Sequence, residues 1–204
     1  MIAIIDYDAG NLRSVEKALQ HLGQQTVITR DRETIIKADK VILPGVGSFG
    51  AAMENLRKYN LIEVINEIVE RKIPLLGICL GLQLLFESSE ESPGVAGLGI
   101  LKGKILRIPD KEGLKIPHMG WNSLHLTGNG KLFQNLSDEP YVYFVHSYYL
   151  QAEEDIVKAS ACYSTTIHAS VEKENIFACQ FHPEKSSTAG LQILKNFAEL
   201  KGGG

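Results

Sequence analysis

Residues 74–81 read Pro-Leu-Leu-Gly-Ile-Cys-Leu-Gly, and this stretch decides the fold. Pro74 opens an apolar run of strand length at 75–78, and residues 82–87 continue with helical spacing, so the cysteine falls on a strand-to-helix turn. Gly77 and Gly81 stand two positions before and two after Cys79, giving the sulfur counterpart of the G-x-S-x-G nucleophile elbow. A sharp turn brings those two positions together, and glycine avoids the crowding that a side chain would cause. Cys79 would then sit exposed at a helix N-terminus. The partial positive charge there favours thiolate, and the Leu80 amide points toward an oxyanion formed on the atom that the sulfur attacks. The competing reading makes Cys79 a small buried apolar residue, as most cysteines are.

Working back toward the N-terminus, 2–5 and 26–28 are short apolar runs separated by a helical pattern at 11–22 that ends at Gly23. A further run at 41–43 leads into helical stretches after Ser48 and at 61–69. Nearly continuous apolar strands alternating with helices imply a parallel sheet covered on both faces. Toward the C-terminus a Ser/Glu/Gly-rich loop at 88–99 gives way to strand-like runs at 100–108, 141–150, 156–163, 166–171 and 176–181, with a last helix near 191–200. The expected architecture is α/β, an open and mostly parallel sheet with helices on both faces and a β-rich second half. No linker divides it, so 1–204 reads as one domain, with Gly202–Gly204 as a frayed end.

A chain of 204 residues with 44% hydrophobic content is enough for one sizeable core. A formal net charge of −3, with interspersed signs, leaves no electrostatic footprint for nucleic acid or a membrane surface. Asp6 interrupts the first apolar stretch too early for a signal peptide, and no run approaches the length of a membrane span. The expectation is a soluble, cytoplasmic protein acting on small molecules or another protein. Three cysteines, Cys79, Cys162 and Cys179, fit neither a disulfide framework nor a structural zinc site, and the last two fall inside strand-like runs. No metal is expected, since His118 and His125 have no ligand spacing around them, and the reading calls for no cofactor.

A nucleophilic cysteine needs a base. Of six histidines, His182 ends an apolar strand and is followed by Pro183, which biases it toward extended geometry. In extended chain i and i+2 share a side, so Glu184 can reach the ring, fix its tautomer and stabilise imidazolium. Cys79 and His182 both stand at C-terminal strand ends, where open α/β sheets hold their sites, and a Cys79–His182–Glu184 triad is geometrically accessible. The alternative is an exposed histidine with a solvated glutamate.

Pro44-Gly45-Val46-Gly47-Ser48-Phe49-Gly50 contains G-x-G-x-x-G, the spacing that cradles a dinucleotide pyrophosphate. A dinucleotide site wants an acidic ribose ligand about 20 residues on, at the end of the next strand. Glu63, Glu67 and Glu70 fall in a helical segment instead, so this reading loses ground.

With DYDAGNLRSV at 6–15, ILPGVGSFG at 42–50, GICLGLQLLFE at 77–87, PHMGWN at 117–122, FVHSYY at 144–149 and QFHPEKS at 180–186, the chain resembles the class I glutamine amidotransferases along almost its whole length. It resembles most closely the branch whose glutaminase subunit serves histidine biosynthesis. Leu82, where many other class I glutaminases carry histidine, argues for that branch over the carbamoyl phosphate and anthranilate branches. Asp8 stands where the first loop of the family usually has glycine, a change tolerable at a left-handed position because aspartate visits that region.

The resemblance implies glutamine hydrolysis by the three residues already named, with the amides of Val46 and Leu80 as oxyanion donors. It implies that Gly47, Gln83, Glu91, Ser147 and Tyr148 hold glutamine. Each of these also has a plain reading, Gln83 as a helix surface residue, Glu91 as a loop charge, and Ser147 and Tyr148 as strand residues. It further implies a (β/α)8-barrel cyclase subunit as the protein partner, forming imidazole glycerol phosphate and aminoimidazole carboxamide ribonucleotide. Asn11, Met119, Trp121, Asn122, Tyr143 and Lys185 match positions at or near that heterodimer interface, although Trp121, the only tryptophan, reads equally well as a core residue. Binding of the cyclase's ribonucleotide is expected to reorient Pro44–Gly47 and switch the glutaminase on.

Overall fold

A computed structural model describes residues 1–200; the expected frayed end at Gly202–Gly204 lies outside the described residues. The chain runs β1 (Ile2–Ile5), α1 (Leu12–His21), β2 (Thr26–Thr29), α2 (Arg32–Ile36), β3 (Lys40–Leu43), α3 (Phe49–Lys58), α4 (Leu61–Glu70), β4 (Leu75–Ile78) and α5 (Leu80–Leu84). It continues with β5 (Ser88–Ser89), β6 (Gly103–Arg107), β7 (His118–Ser123), β8 (His125–Leu126), β9 (Tyr141–His146), β10 (Tyr148–Ala152), β11 (Val157–Tyr163), β12 (Thr165–Lys173), β13 (Ile176–Cys179) and α6 (Ser187–Glu199).

The main sheet has eight strands in the order β2-β1-β3-β4-β13-β12-β11-β8. The first five are parallel and the rest antiparallel, so the mostly parallel sheet grows a β-rich flank. Alternation along the strands assigns the two faces. Ile2 and Ile4 pack with Val15 and Leu19 of α1 and Leu194 and Phe197 of α6. Ala3 and Ile5 pack with Met53, Leu56, Ile65 and Ile68 of α3 and α4 on the other side. Both faces are covered, as the continuous apolar strands imply.

One topological feature builds the site. β13, late in the chain, lies parallel to β4, with Cys179 opposite Ile78. The residues that leave the C-terminal ends of these two strands, Cys79 and His182, are therefore delivered to one edge of the sheet.

The structure corrects several sequence boundaries. The helix expected at 82–87 is the shorter α5, which starts directly after the cysteine. The run at 141–150 is two strands in different sheets, broken at Ser147: β9 pairs with β7, whereas β10 joins β6 and β5. The short α2, β5 and β8, and the strand β7 carrying PHMGWN, carry no clear periodicity in the sequence. Among the described residues no helix is long and apolar enough to cross a membrane.

Candidate active site

Cys79 adopts φ 54° and ψ −107°, a conformation that a side-chain-bearing residue holds only when its surroundings enforce it. They do so here through backbone contacts. A Cβ on Gly81 would lie 1.8 Å from the Leu43 carbonyl, and one on Gly77 would lie 2.8 Å from the Gly81 carbonyl, so both positions must be glycine. The Cys79 amide donates to the Cys179 carbonyl at 2.8 Å, tying the elbow to β13. Against the expectation of an exposed thiol, Cys79 is only 7% exposed, because the turn is packed between β3 and β13 and only one side opens to a pocket.

That pocket, of about 380 Å³, is lined by Val46, Gly47, Cys79, Leu80, Gln83, Glu91, Ser147 and Tyr148, together with Pro117, Val145 and His146. All five residues expected to hold glutamine thus border one cavity with the elbow. Gln83 is not a surface residue: it is buried, and its Nε2 donates to the Tyr148 carbonyl at 3.2 Å and to Gln180 Oε1 at 3.1 Å. Glu91 is not a free loop charge, since its Oε2 accepts from the Phe49 amide at 2.8 Å at the start of α3.

His182 and Glu184 meet, by a different route from the one expected. His182 is extended (φ −100°, ψ 96°), but Pro183–Lys185 forms a tight 3-10 turn rather than continuing the strand. The turn brings Glu184 Oε1 to 2.7 Å from His182 Nδ1, with both side chains essentially unexposed. A carboxylate accepts only, so Nδ1 carries the proton. Burial alone would lower the His182 pKa; the neighbouring Cys79 sulfur and the Glu184 carboxylate outweigh it and raise it to about 9. Among the described residues His182 Nε2 and Glu184 Oε2 have no hydrogen-bond partner.

Two further residues complete this cluster. Asn11, left-handed at φ 73° at the start of α1, donates from Nδ2 to Glu184 Oε1 at 2.5 Å. Gln180, fully buried and invisible to the sequence reading, directs Nε2 at Cys79 Sγ across 3.7 Å. Its signal was its place in QFHPEKS, two residues before His182 on the same strand exit.

The loop after β3 behaves differently. Tyr7 is buried, and its hydroxyl donates to the Pro44 carbonyl at 2.6 Å. Burial, and then the nearby Cys79, hold the phenol pKa far above its ordinary range, so it stays a donor. The Leu80 amide, expected to face an oxyanion, donates instead to the Gly45 carbonyl at 3.3 Å. Val46 is 39% exposed, and Gly47 has φ 115°, which only glycine adopts freely. Glu63, Glu67 and Glu70 lie on α4, so the acidic strand-end partner of a dinucleotide site is absent there. Asp8 is left-handed (φ 65°), with Arg30 at 2.7 Å and the Tyr59 hydroxyl on its carboxylate.

Met119 and Trp121 on β7 are 62% and 53% exposed, which excludes the core reading of the tryptophan. Trp121 stands opposite Tyr143 in register, with ring centroids 6.2 Å apart, and Lys185 is exposed. Asn122 points the other way, donating to the Cys162 carbonyl at 3.1 Å. Asn11 is half-buried against Glu184 rather than presented outward. Cys162 is exposed and Cys179 buried, both outside the pocket lining. Among the described residues no group of three or more His, Cys, Asp or Glu is arranged to hold a metal ion.

Comparison with known proteins agrees with this construction. The family described as glutamine amidotransferase class-I matches residues 3–200. A protein of Methanocaldococcus jannaschii named imidazole glycerol phosphate synthase subunit HisH is 50% identical over 200 residues, which cover 98% of this chain and 100% of that one. One of the same name from Lactococcus lactis subsp. lactis is 53% identical over 199 residues, covering 97% and 98%. A crystal structure described as a glutamine amidotransferase shares the fold, with a TM-score of 0.76 at 20% identity over 98% of each chain. A family match spanning nearly every residue, joined to relatives at half identity from end to end, means that the chain belongs to the class I glutamine amidotransferases.

Proposed function

We infer that this protein is the glutaminase subunit of an imidazole glycerol phosphate synthase. It hydrolyses glutamine to glutamate and ammonia, and passes the ammonia to a (β/α)8-barrel cyclase subunit in histidine biosynthesis. The observation that carries the reading is the convergence of Cys79 and the bonded His182–Glu184 pair at one edge of the sheet, with the elbow opening on a cavity of amino-acid size.

Cys79 gives its thiol proton to His182 Nε2 and attacks the glutamine side-chain amide carbon, and the C–N bond breaks as Nε2 passes that proton to the departing ammonia. Water, activated by the same imidazole, then hydrolyses the γ-glutamyl thioester, returning the thiol and releasing glutamate. Glu184 fixes the imidazole and stabilises its charged form, and Asn11 steadies Glu184. Gln83, Glu91, Ser147, Tyr148 and the Gly47 backbone hold the substrate. The negative oxygen of each tetrahedral intermediate is received by the amides of Leu80 and Val46.

The resting loop is not arranged for that last task, because the Gly45 carbonyl occupies the Leu80 amide. Freeing one such donor is worth roughly 100- to 1000-fold in rate. The loop at Pro44–Gly47 therefore acts as the switch, thrown when the cyclase subunit carries its ribonucleotide. The partner docks on the exposed face of β7 and β9, where Met119, Trp121 and Tyr143 lie, with Lys185 at its margin; Asn122 faces inward and takes no part in it. The described fold supplies the glutaminase, and the cyclase subunit consumes the ammonia.

Trapping tests the chemistry. A glutamine analogue carrying an electrophile at the amide carbon should alkylate Cys79 alone among the three cysteines, identified by peptide mass spectrometry, and excess glutamine should protect it. Labelling spread over Cys162, or none at all, would dismiss the assignment.

A further inference from the structure

The ribbon of β7 and β9 has two faces. In its antiparallel register Met119, Trp121 and Tyr143 fall on the outer side, whereas His118, Asn122, Phe144 and His146 fall on the inner side. His118 and His146 stand directly opposite one another and are 3% and 6% exposed. His118 is clamped between Phe144 and Tyr163, stacked at centroid distances of 4.6 and 4.0 Å. Neither histidine has a role in the proposed chemistry, yet both are bonded in an unusually determined way.

The hydrogen bonds admit one pattern of protons. His146 Nδ1 lies 2.8 Å from the Tyr148 carbonyl, which can only accept, so the proton is on Nδ1. Burial drives the His146 pKa down to about 3, so Nε2 is a bare lone pair. His118 Nδ1, 2.9 Å away, must then be the donor. Burial holds His118 neutral too, at about 4, leaving its Nε2 as an acceptor, and Asn122 Nδ2 supplies the donor at 3.3 Å. The chain Asn122 → His118 → His146 → Tyr148 carbonyl runs in a single direction with every ring atom matched.

Its end point lies at the corner between two sheets. Ser147 is the break at which the chain leaves one sheet for another; its carbonyl accepts from the Ile108 amide at 2.9 Å and Tyr148 opens β10 opposite Arg107, so the corner is tied to the β6 side by its backbone and to the β9 side by a side chain. The bond from His146 to Tyr148 spans that corner. On its other side the Tyr148 carbonyl is held by Gln83 Nε2. Ser147 and Tyr148 are displayed into the cavity between these two pins.

We infer that His118 and His146 are positioning residues of the glutamine pocket, fixing the Ser147–Tyr148 corner through the hydrogen bond from His146 to the Tyr148 carbonyl. The inference rests on the glutaminase reading above, and it also makes the inner face of the ribbon the structural counterpart of the outer, partner-facing one. His146 borders the cavity, but both its ring nitrogens are engaged, by His118 and by the Tyr148 carbonyl, so the pair acts through the backbone that meets the substrate. Loss of the His146 donor lets the Tyr148 carbonyl drift toward Gln83 and carries Ser147 with it.

The test combines kinetics of the complex with the cyclase subunit and 15N spectra of histidine-labelled protein. At neutral pH both rings should show the neutral Nδ1–H tautomer. His146→Leu should raise KM for glutamine about tenfold with kcat altered much less, since an interaction lost equally from ground and transition states appears in KM. His146→Asn places an amide nitrogen where Nδ1 was, and should restore KM to within about threefold, in proportion to the recovered bond. His118→Phe, which keeps the stack, should give a smaller rise than His146→Leu. An unchanged KM in folded His146→Leu, an asparagine variant as impaired as the leucine one, or an Nε2–H signal at His146 would overturn the inference. If His146→Leu does not fold, the asparagine variant and the tautomer decide. Failure of the wild-type complex to hydrolyse glutamine would instead sink the glutaminase reading, a result distinguishable from any ratio between variants.

Discussion

The elbow at Cys79 and the loop at Pro44–Gly47 leave neighbouring strands, β4 and β3, and border the same pocket, yet they are held by different means. The elbow is fixed by exclusion: glycine at 77 and 81 lets backbone pack on backbone, and the thiol, imidazole and carboxylate sit behind it almost without exposure. The loop is held by two hydrogen bonds, from the Tyr7 hydroxyl and the Leu80 amide, with Val46, Gly47 and Ser48 exposed. In the proposed reaction the covalent chemistry thus belongs to the core, where rearrangement would cost packing. The oxyanion stabilisation proposed for the loop would then rest on a segment that can turn over by exchanging a few hydrogen bonds. On the proposed reading, a glutaminase arranged in this way keeps its reagents assembled and withholds one donor.

The largest effect that could break this contrast belongs to the elbow. Cys79→Ser should cut glutamate release by about 10⁴-fold or more, as removal of a nucleophile does in a triad acting as one unit. Activity near wild type would dismiss the elbow as the reacting centre. Glu184→Gln should lower kcat by roughly 100-fold, because the amide still fills the site but no longer stabilises imidazolium. A smaller loss would mean that Asn11 and burial suffice to orient the ring. On the partner side, Trp121→Ala should weaken cyclase binding about 10- to 100-fold in a titration, the usual effect of an exposed aromatic anchor, with the melting temperature little changed.

Smaller still, and aimed at the loop, Tyr7→Phe removes the hydroxyl that holds Pro44. It should raise partner-independent glutamate release a few-fold, about what one hydrogen bond can shift, and a fall in both basal and stimulated rates would show that the bond serves the active form instead.

A pH series sharpens the other half. His182 has its pKa raised from 6.5 to about 9 in the folded protein, so the native state binds more protons than the unfolded one between those values. Its stabilising contribution is complete below pH 6.5 and disappears as the pH climbs through 9. Melting curves of wild type against His182→Gln should therefore converge toward pH 9; a gap that widens with pH would reverse the sign.

The elbow was legible in the sequence because its determinants are local. Pro74, the apolar run and two glycines within five positions specify a turn that tertiary packing only completes. The outer half of the sheet was legible for the same reason, since each strand there is apolar and bounded. The corner at Ser147 was not, because Tyr141 to Leu150 is one uninterrupted strand-like stretch, and what splits it is a change of neighbours, from β7 to β6. β7 was hidden by Pro117, Gly120 and a polar inner face whose histidine finds its partner on another strand. An extended segment would bring Glu184 beside His182, and a 3-10 turn achieves the same meeting. The Leu80 amide bonded to the Gly45 carbonyl had no signature in the sequence, because the bond joins two backbone groups and names no side chain.

Glutamate release should be measured with this protein alone, then with the cyclase subunit, then with the cyclase subunit and its ribonucleotide. A withheld oxyanion donor predicts a slow rate in the first two conditions and a rise of roughly 100-fold or more in the third. Rapid release by the protein alone, indifferent to partner and ribonucleotide, would contradict the gate and leave an independent glutamine hydrolase.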